Sequence, residues 1–163
     1  MSKDFYNQFI LPYAGIIIKI CRAYTDTEED FQDYYQEVCL QIWHSRDNFK
    51  EKSKWSTWIY RITLNVNMSL LRKQKKQSYS SLNGRDLQEI PAEETFFQDK
   101  SLQLLYKAIR QLSELDRAII LLYLQENSYK EIADIIGTSP NNIGVKITRI
   151  KKQLKKLLDG KIY

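Results

Sequence analysis

Residues Ser128 to Leu158 read SYKEIADIIGTSPNNIGVKITRIKKQLKKLL, and this stretch decides the fold of the chain. Ser128-Tyr129-Lys130-Glu131 has the form of a capping box: the serine hydroxyl can accept from the backbone N–H three residues on, while the glutamate reaches back to the serine N–H. Gly137 can take the left-handed conformation that ends the helix so begun. Ser139 can cap the next helix, and Pro140 fits its first turn, where a missing N–H costs nothing. On a helical wheel Ile143, Ile147, Ile150, Leu154 and Leu158 share one stripe, which is predicted to pack on Ile132, Ala133 and Ile136. The opposite side carries Asn141, Asn142, Val145, Thr148, Arg149 and Lys152, short polar groups first and cations further along. This order suits a helix-turn-helix, because amides and small side chains near the start of a recognition helix reach base edges while Lys and Arg hold flanking phosphates. Asn141, Asn142, Val145 and Arg149 are the candidate base contacts, with Ser139, Lys146, Thr148 and Lys152 beside them. The bland alternative is a helical hairpin with a solvated basic face. Capping box, glycine turn, proline start and cationic outer face within some thirty residues weigh against it.

Working back from this stretch, Leu102, Leu105, Ile109 and Leu112 mark an earlier helix. Ser113-Glu114-Leu115-Asp116 opens another that carries Ala118, Ile119 and Leu122. Residues 78–98 hold serines, Asn83-Gly84, Pro91 and acids without steady period, the composition of a flexible tether. Before the tether three helices are predicted. The first runs from Asp4 to Tyr24, buries Phe5, Phe9, Ile16, Ile20 and Ala23, and is kinked or restarted by Pro12. Thr27-Glu28-Glu29-Asp30 caps a second, ending near Ser45, whose buried stripe is Phe31, Tyr35, Val38 and Ile42. After a loop over residues 46–54, the third spans about Trp55 to Gln77 and buries Trp55, Trp58, Ile59, Ile62 and Val66. With no strand-like alternation anywhere, the expectation is an all-α chain: a helical domain over 1–77, a linker over 78–98, and a helix-turn-helix domain over 99–163.

Two faces of the N-terminal domain carry more than core. Opposite the buried stripe of the second helix lie Asp33, Gln36, Glu37 and Leu40, two acids and an amide around an exposed leucine, which suits a polar protein interface better than free solvent. A solvated face with one stray leucine is the plainer reading. On the third helix Arg61, Asn65, Met68 and Arg72 form a separate stripe running into Lys73, Lys75 and Lys76, a plausible nucleic-acid track. The preceding loop, with Asn48, Phe49, Lys50 and Lys52, can supply contacts to an unstacked base.

The chain has 163 residues and a formal charge of +5, with basic residues gathered at 72–76 and 146–161, on either side of an acidic stretch. Such clusters favour polyanionic partners. Two cysteines, Cys21 and Cys39, at apolar helical positions read as buried thiols in a reducing compartment. Asp4 sits where a secretory signal would need positive charge, and the apolar run Ile16–Ile18 is far too short to cross a bilayer, so a cytoplasmic protein with no stable membrane insertion is expected. His44, the sole histidine, has no Cys or His at metal-ligand spacing, and no phosphate loop or nucleophile elbow occurs. No cofactor, metal site or enzymatic activity is therefore expected.

Leu112-Ser113-Glu114-Leu115-Asp116-Arg117, Ser128 to Ala133, Gly137-Thr138-Ser139 and Ile143 to Lys151 resemble the C-terminal domain of bacterial RNA polymerase sigma factors. Asp33 to Val38, Ile42-Trp43, Trp55, Trp58 to Ile62, Asn65 and Arg72 resemble the second region of the same proteins. With two domains and a short link, the chain is similar to the extracytoplasmic-function group. Ser69, Ser113 and Lys146 depart from that pattern, where Asp, Pro and Arg are usual. The resemblance implies a protein that binds core RNA polymerase, reads promoter DNA through both domains, melts the element near the start site and catalyses nothing itself. It also implies a polymerase contact at Asp33, Gln36 and Glu37, to which Leu40 is added from the pattern, and an anti-sigma protein as a regulatory partner. Two other readings stand beside it: a conventional repressor or activator binding an operator as a dimer, and a helical adaptor that binds protein alone.

Overall fold

The computed structural model describes residues 1–80 and 99–159. Most of the expected linker, residues 81–98, lies outside the described residues, as does the basic Lys161. Every regular element described is a helix, and none is long and apolar enough to cross a membrane. The chain divides into two compact units, Met1–Glu94 and Thr95–Tyr163.

In the first unit the predicted opening helix is broken. Helix α1 (Lys3–Phe5), capped by the Ser2 hydroxyl, widens into a π-helical turn over Tyr6–Ile10 and then tightens into a 3-10 turn, Leu11–Tyr13. Pro12 sits in that tight turn, because it has no N–H to donate and its ring would clash with a preceding carbonyl. The chain restarts as α2 (Ala14–Tyr24). Helix α3 (Glu28–His44) begins where the Thr27 hydroxyl accepts from the Asp30 N–H at 3.0 Å, with Glu28, Glu29 and Asp30 at the positive end of its dipole. A short 3-10 turn, Arg46–Asn48, leads toward α4 (Trp55–Ser80), three residues longer than expected.

Helices α2, α3 and α4 pack on one another around Ile17, Ile20, Cys21, Tyr34, Val38, Cys39, Ile42, Ile59 and Leu64. Two predicted stripes are rotated. On α3, Tyr34 and Cys39 are buried while Phe31 and Tyr35 stay at the rim. The reason is polar: the Tyr35 hydroxyl pairs with that of Tyr6 at 2.8 Å, and Phe31 lies under the Arg22 guanidinium, 3.5 Å from the ring centroid. Arg22 is itself buried and donates to Glu28 at 2.7 Å, which holds that carboxyl below its ordinary range. On α4 the fully buried residues include Thr63 and Asn67, whereas Trp55, Trp58, Ile62 and Val66 are only half-buried. Thr63 donates to the Ile59 carbonyl and Asn67 to that of Thr63, each at 2.7 Å, so the donors of both are satisfied on their own helix as they enter the core, while the Asn67 Oδ1 is buried without a hydrogen bond among the described residues. Displaced from it, Trp55 and Trp58 join Phe5, Phe9, Trp43 and Phe49 in an aromatic cluster, where Trp55 donates to the Phe9 carbonyl at 2.9 Å.

Both cysteines are free and buried, as their apolar helical positions suggested. Burial pushes the Cys21 thiol up to about 12 and the Cys39 thiol up to about 11. A raised thiol pKa means less thiolate at any working pH, and the thiolate is the nucleophile. Neither cysteine is expected to react with iodoacetamide in the folded protein at about pH 8.5, and both should react once denaturant is added. Mass spectrometry after timed quenching checks this; rapid labelling without denaturant would contradict it.

The second unit follows the local signals closely. Asp99 caps α5 (Lys100–Ile109), Ser113 caps α6 (Glu114–Leu124), and the Ser128–Glu131 capping box opens α7 (Tyr129–Ile136). Gly137 ends α7 at φ 89°, a conformation that favours glycine, and Ser139 caps α8 (Pro140–Leu158) with Pro140 in its first turn. Arg117 is buried and ties the α5–α6 turn together by donating to the carbonyls of Leu112 and Arg110. Ile109, Leu112, Ala118, Ile119, Leu122, Ile132, Ala133, Ile143, Ile147, Ile150 and Leu154 form the core. Ile136 and Leu158, expected there too, are half-buried at its margin, and Leu102 is exposed.

Candidate functional site

Helix α8 meets α5, α6 and α7 along its isoleucine stripe, which turns the opposite face outward. Asn141, Asn142, Thr148, Arg149 and Lys152 are exposed there and Lys146 is half-buried. Val145, at the centre of the face, is 71 % exposed. Ser139 contributes through the backbone, its hydroxyl accepting from the Asn142 N–H at 3.2 Å. The Asn142 amide also donates to the Thr138 hydroxyl, and Thr148 donates to the Gly144 carbonyl.

The two margins of this face are held by residues that the pattern did not single out as partners. On one side Arg149 donates through a single nitrogen to both carboxylate oxygens of Asp116, at 3.1 and 3.3 Å. The arginine side chain is 60 % exposed and the aspartate side chain 12 %. On the other side the Tyr129 ring lies against Gly144, where an added Cβ would sit 3.3 Å from the nearest ring carbon. Beyond it Lys151 donates to the Tyr123 hydroxyl at 2.7 Å and lies over that ring. Asp116 is 33 residues from Arg149 in sequence, so no helical spacing could reveal the pair.

In the first unit Asp33, Gln36, Glu37 and Leu40 are all exposed on α3, Leu40 by 39 %. The stripe is not isolated from the nucleic-acid candidates. Glu37 shares a groove of about 420 Å³ with Asn65 and Lys73 of α4, between Gln41, Ile62, Val66, Ser69 and Leu70. Gln36 instead borders an apolar groove with Ile18, Phe31, Gln32 and Tyr35.

Along α4, Arg61, Asn65, Met68, Arg72, Lys75 and Lys76 recur every three or four residues and face away from the buried Ile59, Thr63 and Asn67. Arg61 and Met68 are half-buried, and the others are exposed. In the preceding loop Asn48, Lys50 and Lys52 are exposed. Phe49 is half-buried and packs against Trp55 and Trp58, with ring centroids 5.0 and 5.4 Å away. With Phe5, Phe9 and Trp55 it walls an open cavity of about 380 Å³, rimmed by Arg46, Asp47 and Glu51. His44 is exposed at the end of α3, and no three potential metal ligands converge among the described residues.

Residues 9–77 match the family model for sigma-70 region 2, and residues 102–154 match that for sigma-70 region 4. The chain is 26 % identical over 169 residues to the ECF RNA polymerase sigma factor SigW of Bacillus subtilis, covering 96 % of this chain and 90 % of that protein. It is 27 % identical over 161 residues to the ECF RNA polymerase sigma-E factor of Escherichia coli K12, covering 91 % and 84 %. Among solved structures, the sigma factor RpoE in complex with the anti-sigma factor NepR from Bartonella quintana shares its fold. The TM-score is 0.77 at 23 % identity, over 98 % of this chain and 99 % of that one.

Proposed function

Because the chain belongs to the sigma-70 family of RNA polymerase sigma factors, in its extracytoplasmic-function group, we propose that its two helical units divide the work of transcription initiation. The protein binds core RNA polymerase and directs promoter recognition and melting. The first unit would dock on the polymerase through Asp33, Gln36, Glu37 and Leu40 of α3. It would take the start-proximal element along Arg61, Asn65, Met68, Arg72, Lys73, Lys75 and Lys76, with Asn48, Lys50 and Lys52 at the loop. The upstream element falls to the outward face of α8. The observation that carries this assignment is the division of α8 itself, one side buried as isoleucine and the other presenting amides, valine and arginine where a major groove can receive them. Action without catalysis, in the cytoplasm, and control by an anti-sigma protein complete the reading; the fold shared with a sigma factor solved with its anti-sigma partner supports the last point.

In vitro transcription with purified core polymerase over genomic fragments tests it, by mapping start sites that arise only when the protein is added. No new start sites would end the proposal. Tight binding of the isolated protein to a palindromic duplex would favour an operator-binding regulator instead.

Glu37→Lys is expected to weaken association with core polymerase by about tenfold, since charge reversal within an interface sets like charges against one another. Its circular dichroism should be unchanged, because Glu37 is exposed. A pull-down showing normal association would remove Glu37 from the docking surface. Because Glu37 lies in the same groove as Asn65 and Lys73, promoter melting by any residual complex should be measured alongside.

A further inference from the structure

Val145 is the most exposed of the large apolar side chains on the described surface. An isolated helix gains nothing from it: a β-branched residue is a weaker helix former than alanine or lysine, and its methyls face water. Its place is not marginal either. It stands opposite Ile143, Ile147 and Ile150, with Asn141 one turn before it and Arg149 one turn after. The Tyr129–Gly144 contact and the Asp116–Arg149 pair brace the helix on either side, so the strip between them is presented in a fixed rotation.

In the major groove the base pairs offer hydrogen-bond donors and acceptors, and only one apolar group, the 5-methyl of thymine. We propose that Val145 is a specificity-determining residue that selects a thymine in the upstream element through van der Waals contact with its methyl group. This rests on the assignment of α8 to that element. Asn141 then suits an adenine and Arg149 a guanine, each in the bidentate geometry its side chain allows. Successive residues of the strip are roughly 6 Å apart along the helix. Base pairs are stacked at about 3.4 Å, which puts neighbouring contacts of the strip about two steps apart and the outer two about four. Thr148 also carries a methyl near this strip, so the experiment must separate the two residues.

The test uses the full-length protein with core polymerase on a promoter identified by the transcription experiment above. Each thymine of the upstream element, on either strand, is replaced in turn by deoxyuridine, which removes the methyl and leaves base pairing intact. With the natural protein, one replacement is expected to lower initiation by about fourfold, the worth of one buried methyl. With Val145→Ala that same replacement should have no effect, and Val145→Ala on the thymine promoter should resemble the natural protein on deoxyuridine. An element without thymine, indifference of the natural protein to every replacement, or a deoxyuridine effect that persists in Val145→Ala would each overturn the proposal. These outcomes are distinct from failure of the functional assignment, which would show as no added start sites at all.

Discussion

Arg149→Ala is expected to lower initiation at promoters that depend on the upstream element by a factor corresponding to about 1 to 3 kcal/mol, the range for losing a bidentate base contact. The geometry supports a contact of that kind. Asp116 takes both its hydrogen bonds from one guanidinium nitrogen, and the arginine side chain remains 60 % exposed. A fork anchored at one corner has less rotamer freedom to lose when it meets a base. The same geometry predicts a second effect. Asp116 is nearly buried at the start of α6, and without Arg149 its carboxylate loses a charged partner, so the variant should also melt at lower temperature. The double variant Asp116→Ala/Arg149→Ala separates the two consequences: it should regain thermal stability but not transcription. If Arg149→Ala initiates normally, the arginine serves the fold alone.

The second large effect lies beneath that surface. Ile147 is buried in the stripe by which α8 meets the rest of its unit. Truncation of a buried isoleucine to alanine costs about 2 to 5 kcal/mol, and a unit of this size has little more than that in reserve. Ile147→Ala should therefore unfold much of the C-terminal unit near physiological temperature, while Ile147→Val should cost only about 0.5 to 1.5 kcal/mol. Transcription from upstream-dependent promoters should collapse in the alanine variant. Capture of core polymerase by the first unit should persist, because the residues assigned to it share no core with Ile147. Thermal melting followed by circular dichroism and a polymerase pull-down measure the two; a melt unchanged from the natural protein would contradict the packing described for α8.

The second unit was legible in sequence because its instructions are local. Ser113, Ser128, Gly137, Ser139 and Pro140 act within three or four residues of themselves, and each ends or begins a helix where it was expected. Pro12 likewise breaks the first helix for a reason that it carries alone. Hydrophobicity misread the first unit. Thr63 and Asn67 look like surface residues, yet they are buried with their donors paired to the carbonyls one turn back, while two tryptophans that look like core stand at the rim. The face of a helix that turns inward is settled by its neighbours, and no stripe drawn on one helix contains them. Of the site, the exposed residues of α8 and α3 could be named from pattern. Their partners could not: Asp116 beside Arg149, Tyr129 beside Gly144 and Asn65 beside Glu37 are meetings of segments far apart in the chain.

Gly144 gives promoter preference a way to drift that bypasses the reading residues altogether. A methyl there would press on the Tyr129 ring from 3.3 Å, and to the extent that the backbone rather than the ring gives way, the angle at which α8 leans from its support changes. On the role proposed for α8, its outward side chains would then be re-aimed together by a residue that is not among them, so a search for altered specificity confined to the groove-facing positions would overlook a hinge pin behind them.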